Sequence, residues 1–369
     1  MADTAGAEVA KVLNSGYIGQ GPKVEEFEKV LTNYFRNDRI VTTNSATSAE
    51  HLALNLLRRP AFNNWPGMQP GDEVLATALT CTASNWPIIL EGYNIKWVDV
   101  DNSLNMDLDD LARKITPKTK AIMLVFWGGM PVDMNKLSQI QQRAFDMYGF
   151  KPAVIIDGAH SLGSKYMGQH ICNLGHITTY SFQAIKHITS VDGGALVVPH
   201  ESLHRRAKLL RWYGIDREGN RKDFRCEADI EEIGTKWHMN DVCATVGIEN
   251  FKHVDRITKI FQDNAAYYNE ELQQSPVRLI PQTAGATSAS WLYTIRVDKR
   301  DDFMAAMKDR GIITSRVHER NDLHTATRQW RSQLPKVDEV VKDMICIPNG
   351  WWVTPEDREY IVESIRKGW

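Results

Sequence analysis

Val154-Ile-Ile-Asp157-Gly-Ala-His160, followed by Ser181-Phe-Gln-Ala-Ile-Lys186 and then Asp192-Gly-Gly194, is the stretch that decides how this chain is read. A short apolar run ends in a carboxylate. Further on, a lysine stands five positions after a serine, and a glycine pair follows. An apolar run bounded by turn residues is the pattern of a strand in a parallel sheet covered on both faces.

The same texture continues on either side. Val24, Phe27, Leu31 and Phe35 share one face of a predicted helix over 24–35, and Ser48–Leu57 reads as another. Glu73–Ala76 and Lys96–Val100 read as short strands with a helix at 83–90 between them. Ala121–Trp127 and Ala153–Ile156 are further buried strands, joined through a helix at 134–148, and Gly193–Val198 adds one more. Strands alternating with helices at this spacing predict a right-handed, doubly wound α/β domain. Past residue 250 the pattern changes. A long helix over 241–271 leads to an alternating strand at Trp291–Val297, then a helix at 302–310, a strand at Ile312–Val317 and a closing helix. Thr354 is the expected N-cap of that helix, with Pro355 in its first turn. The expected organisation is a large domain over 1–250 and a smaller α+β domain over 251–369.

Composition excludes more than it selects. The 369 residues are 43% hydrophobic and 24% charged, with 44 basic and 46 acidic side chains and a net charge of −2. That balance points to neither nucleic acid nor a membrane surface. Ala121–Trp127 is far shorter than the roughly 20 residues of a membrane helix, and Met1–Glu8 has no basic, apolar leader. The five cysteines are scattered without a CxxC pair, which argues against a disulfide framework or a metal site. The expected location is the cytoplasm.

The chemistry lies in the opening stretch. A lysine amine can form a Schiff base with an aldehyde, and pyridoxal phosphate (PLP) then serves as an electron sink. Asp157 is placed to keep the pyridine nitrogen protonated, and His160 to stack on the ring or bond its phenolic oxygen. Ser181 and the helix start at Ala46, Thr47 and Ser48 could hold the phosphate through unpaired N–H groups and the helix dipole. Singly, each has a plainer role: Asp157 as a turn residue, Lys186 as a surface charge, His160 as a structural histidine, Ser45 as a cap, Gly193-Gly194 as a turn. Their order along the chain favours the cofactor site.

Together these segments resemble the DegT/DnrJ family of nucleotide-sugar aminotransferases, PLP enzymes of fold type I. Gly16-Tyr-Ile-Gly19-Gln-Gly21-Pro resembles the family's opening. Thr43-Asn-Ser45-Ala-Thr47-Ser48-Ala resembles its phosphate loop, and Gly234-Thr-Lys236-Trp-His238-Met-Asn-Asp241 the segment that reaches into a partner subunit. The resemblance implies Lys186 as catalytic residue and Asp157, Ser181 and the partner's Lys236 at the cofactor. It also implies a homodimer with shared active sites, and amine transfer from glutamate to a nucleotide-linked keto-sugar. The family's glycine is Ala46 here; its ring-stacking aromatic is replaced by Thr80-Cys81; and its asparagine and arginine are Lys236 and His238.

Arg316 and His318, in Thr314-Ser-Arg-Val-His318, together with Tyr213 and His238, are the candidate substrate residues. Lys208, Arg211, Arg217 and Arg221 could face a nucleotide diphosphate or simply line a solvated surface. Trp351 and Trp352 could line the sugar site or pack in a core or interface. The chain looks somewhat closer to enzymes aminating C4 of a GDP-linked 4-keto-6-deoxy sugar, of the perosamine type. A related dehydratase branch replaces the lysine with histidine, whereas here His187 merely follows Lys186. A regulatory protein that has lost catalysis, and a transaminase or lyase for free amino acids, are the other readings.

Overall fold

The computed structural model describes residues 1–60, 65–217, 219 and 229–369. Its centre is a seven-stranded sheet of β1 (Ile40–Thr43), β2 (Glu73–Thr77), β3 (Asn94–Val98), β4 (Thr119–Val125), β5 (Ala153–Asp157), β8 (Ile177–Ser181) and β9 (Gly194–Val197). The spatial order is β1-β9-β8-β5-β4-β2-β3. β3, β2, β4, β5 and β8 run parallel; β9 is antiparallel to both of its neighbours, β8 and β1. Two hairpin strands, β6 (Lys165–Tyr166) and β7 (Gln169–His170), pair with β11 (Ala286–Thr287) in a separate small sheet.

Alternation explains why these strands read as continuous apolar runs. Leu75, Ile122, Leu124, Val154 and Ile156 enter the core on one face. Val74, Ala76, Ala121, Met123 and Ile155 enter the core on the other. Most strand positions are thus buried by one layer of helices or the other. Those layers comprise α1 (Ala5–Ser15), α2 (Pro22–Phe35), α3 (Ala46–Leu56), α4 (Thr82–Leu90), α5 (Leu108–Lys114), α6 (Met134–Tyr148), α7 (Glu201–Leu210) and α8 (Asp241–Phe251). The predicted apolar stripe of α2 is fully buried.

A third core belongs to the C-terminal part. α9 (Val254–Glu271), α10 (Arg300–Asp309) and α12 (Pro355–Arg366) cover the antiparallel sheet β10 (Arg278–Leu279), β12 (Tyr293–Arg296) and β13 (Met344–Ile347). α11 (Pro335–Asp343) leans instead on the second core of the large sheet. This is the expected fold type I architecture: a mixed, mostly parallel sheet flanked by helices, with a smaller α+β domain. Thr354 and Asp357 form the reciprocal capping box of α12.

Two expected elements differ. The single helix over 241–271 is two helices broken at Lys252–His253. α8 is buried along most of its length against α1 and α2, whereas α9 packs against α12, so separate tertiary partners set separate axes. No Gly or Pro marks that break. The strand expected at Ile312–Val317 is a single bridge between Ser315 and Cys346. Val317 takes a left-handed φ of 66°, which ends extended pairing there.

Candidate active site

The site lies at the carboxyl ends of β5 and β8, where open α/β sheets characteristically bind ligands. Asp157 closes β5 and is buried. Its Oδ1 accepts from the Ala159 N–H at 2.9 Å, and its Oδ2 from the Ser84 hydroxyl at 2.6 Å. Two donors fix the orientation of the carboxylate. Gly158 must be glycine, because a Cβ there would lie 2.6 Å from the Thr179 carbonyl oxygen.

Ser181 closes β8, and a tight loop follows. Phe182 donates its N–H to the Gly193 carbonyl, and Ser190 donates its N–H back to the Phe182 carbonyl, both at 2.8 Å. Lys186 projects from this closed loop. Burial lowers its amine to about 8, while Asp157, Cys81 and Glu50 pull in the opposite direction. Its Nζ lies 3.5 Å from the centroid of the Trp291 ring.

Register brings the helix start of α3 to the same place. Gly194 pairs with Thr43 on one side and with Ser181 on the other, so the three strands set Ser181 beside the α3 N-terminus. A Cβ at Gly194 would lie 2.4–2.5 Å from Ser45 and Ala46 backbone atoms, so the glycine permits a close approach as well as a turn. Ser45 caps α3 by accepting the Ser48 N–H at 3.1 Å. The N–H groups of Ala46 and Thr47 have no helical acceptor, as at any helix start.

His160 and His318 complete the upper wall. Their rings are near parallel, 6.2 Å apart, and His160 lies 4.1 Å from the Trp291 ring. Burial is the main cause that holds both neutral, with Lys186 adding to it; His318 is lowered to about 4 and His160 well below its ordinary value. His160 Nδ1 and His318 Nε2 are buried without a hydrogen-bond partner among the described residues.

These residues fit PLP. Asp157 is a buried carboxylate for the ring nitrogen, Lys186 a depressed amine for the aldehyde, and the α3 start with Ser181 a cradle for phosphate. His160 offers an unpartnered nitrogen on the ring side.

Other expected residues fall elsewhere. Lys236 is exposed and bridges through its backbone to Trp212. It makes no contact with Asp157 or Lys186 of its own chain among the described residues. His238 pairs with Thr43 beside the phosphate loop, with its ring 3.5 Å from that of Trp212. Tyr213 is largely exposed, and Arg316 forms an exposed ion pair with Glu319 at 2.6 Å. Arg211 is neither a solvated charge nor open to a diphosphate: it is buried, with its guanidinium 2.5 Å from Glu28 and donating to the Thr42 carbonyl. Trp351 and Trp352 are half-exposed. Arg221 and Cys226 lie outside the described residues.

Four residues at the site were not anticipated in these roles: Glu50, Ser84, Trp127 and Trp291. Trp127 lies beside His160 and His318, with ring centroids 6.4 and 6.0 Å away. A sequence signal existed for Glu50, a carboxylate set among Ala49, Leu52 and Ala53 on a helix rich in Ala and Leu.

Known proteins share this fold along the whole chain. AtS13 from Actinomadura melliaura superposes with a TM-score of 0.95 at 43% identity, covering 100% of this chain and 97% of that one. The sugar aminotransferase CalS13 from Micromonospora echinospora gives 0.94 at 39% identity, covering 100% and 98%. Spr1654 from Streptococcus pneumoniae, in its PLP form, gives 0.89 at 26% identity, covering 100% and 96%. With a buried aspartate, a depressed lysine and a phosphate cradle set as PLP needs them, and with residues 1–366 matching throughout, the chain belongs to the DegT/DnrJ/EryC1/StrS aminotransferase family.

Proposed function

We propose that this enzyme, a PLP-dependent sugar aminotransferase, takes its amino group from glutamate and delivers it to C4 of a nucleotide-linked 4-keto-6-deoxy sugar. The observation that carries the reading is the depressed Lys186 amine, at about 8, beside Asp157. PLP, when bound, withdraws electrons from the amine-bearing carbon and so acidifies its proton. Lys186 would serve as the base and acid that moves this proton, work suited to an amine with a value near the operating pH. Asp157 holds a proton on the ring nitrogen, Ser84 and Ala159 fix its orientation, and Ala46, Thr47, Ser48 and Ser181 bind phosphate. His160 covers the ring and, with neutral His318, faces the substrate side. The intact lysine argues against both the dehydratase and the regulatory reading.

Two finer points belong to the same reading. The domains divide at 250/251, a division supported by the break between α8 and α9. The active unit is a homodimer in which the partner's Lys236 approaches the phosphate. An exposed Lys236, with Ile233 88% exposed close by, supports a surface covered by a second chain. Tyr213, Arg316 and His238 then contact sugar or nucleotide across that surface. The GDP-linked sugar, giving a perosamine-type product, is the first candidate, from the overall likeness of the sequence. The test is a panel of GDP-, UDP- and dTDP-linked 3- and 4-keto sugars with glutamate, read by product mass. Amination of a 4-keto sugar supports the proposal; exchange only between free amino acids and keto acids overturns it.

A further inference from the structure

Glu50 is the one carboxyl at the site for which the mechanism above has no use. It sits one turn into α3 and is 1% exposed. Its side chain lies within hydrogen-bonding reach of the Asp157 side chain, and the other titratable groups facing it are Cys81, ahead of α4, and Lys186. Two ionised carboxylates in contact and out of water repel strongly, so such a pair keeps one proton.

The hydrogen bonds decide which partner keeps it. Asp157 accepts from Ser84 and from the Ala159 N–H. Among the described residues, Glu50 Oε2 is buried and accepts from no N–H or O–H group. An ionised carboxylate left so bare is costly, whereas a carboxylic acid in the same place can donate.

We propose that Glu50 is a positioning residue for the cofactor carboxylate: it holds a proton and donates it to Asp157, so that the pair carries a single negative charge. Burial also raises the Glu50 carboxyl well above its ordinary value, with Asp157 adding to the effect. Three donors then steer Asp157 toward the pyridine nitrogen.

The inference rests on PLP being held at Asp157, and its test separates the two. Infrared spectra of wild type at neutral pH, compared with Glu50→Gln, should contain the carbonyl stretch of one buried protonated carboxylic acid that the variant lacks. Its absence overturns the proposal while leaving the PLP assignment intact, and the band can be sought in wild type alone if a variant misfolds. Glu50→Gln keeps a neutral donor, so PLP affinity and the pH midpoint of the bound cofactor's visible absorbance should stay within about twofold of wild type. Glu50→Leu removes the donor and should weaken PLP binding about tenfold. A midpoint that falls by about one unit in Glu50→Gln would mean Glu50 is ionised in the native enzyme, and an unchanged Glu50→Leu would mean it positions nothing; either result overturns the proposal. Failure of wild type itself to bind PLP would instead sink the cofactor reading.

Discussion

The amine of Lys186 lies against the face of Trp291, with Nζ 3.5 Å from the ring centroid. The two come from different parts of the chain, Lys186 from the loop after β8 and Trp291 from the residues leading into β12. The indole N–H also donates to the Ile185 carbonyl at 3.1 Å. The C-terminal domain thus grips the loop that bears the reacting amine.

Removing the indole should be felt at that amine. Trp291→Ala loses a cation–π contact worth about 1–2 kcal/mol and the tether on Ile185, so kcat should fall about tenfold with a smaller change in KM. Trp291→Phe keeps a ring and should lose less. Steady-state kinetics on both variants check this; equal losses would show that the ring face contributes nothing.

Lys186→Ala should lower turnover by at least about a thousandfold and abolish the visible absorbance of attached cofactor. In the cofactor-free protein, the rate at which Lys186 condenses with added PLP should rise with pH along a limb centred near 8 as Lys186 loses its proton. Because His160 and His318 are already neutral in this range, no second limb should appear at pH 6–7. Stopped-flow measurements across pH 6–9.5 report both.

Acid should destabilise the fold through buried histidines. His187 is lowered from 6.5 to about 4, mainly by burial, and one ring nitrogen meets the Ala289 carbonyl at 3.0 Å. The unfolded chain takes up this proton near 6.5 and the folded chain only near 4, so the fold binds fewer protons between these values. Stability therefore declines as pH drops from about 6.5 to about 4, by up to about 3 kcal/mol for this residue. His187→Gln keeps a donor but cannot be charged, and should flatten part of that decline in urea titrations at pH 4.5 and 7.

Asp241 serves α2 across a long span of sequence. Its carboxylate accepts the N–H groups of Gly21, Lys23 and Val24 at 2.8, 3.2 and 3.0 Å, in place of the capping side chain that Gly21 lacks. Asp241→Ala should cost about 2–3 kcal/mol, with Asp241→Asn intermediate. Urea denaturation gives the size, and faster hydrogen exchange at Lys23 and Val24 would locate it.

What could be read beforehand followed from local rules. Val24–Phe35 declared its buried stripe through helical spacing, and Val154–Asp157 its strand through apolar continuity. The order Asp157, Ser181, Lys186, Gly193-Gly194 pointed to one site because all of it lies in a single run of the chain, from the end of β5 to the start of β9. Trp291 and Ser84 escaped because each reaches the site from a distant segment, and nothing near either in sequence hints at its partner. The break at Lys252–His253 escaped for a related reason: both halves are good helix, and only their different packing partners part them. Ile312–Val317 has strand composition but meets β13 through Ser315 alone.

The insertion of β9 between β1 and β8 has a consequence for how the molecule is made. Among the described residues, Ile40–Thr43 pairs with Val197–Gly194 and, through Thr43, with His238, so the first strand waits for segments more than a hundred residues downstream. Such non-local pairing is slow, because loop closure must precede any reward from contact. During synthesis the nascent chain therefore carries an unpaired edge at β1, open to misassociation until Gly194 emerges. Binding capacity for phosphate arises in the same step that closes this edge, so a chain truncated before Gly194 would lack both.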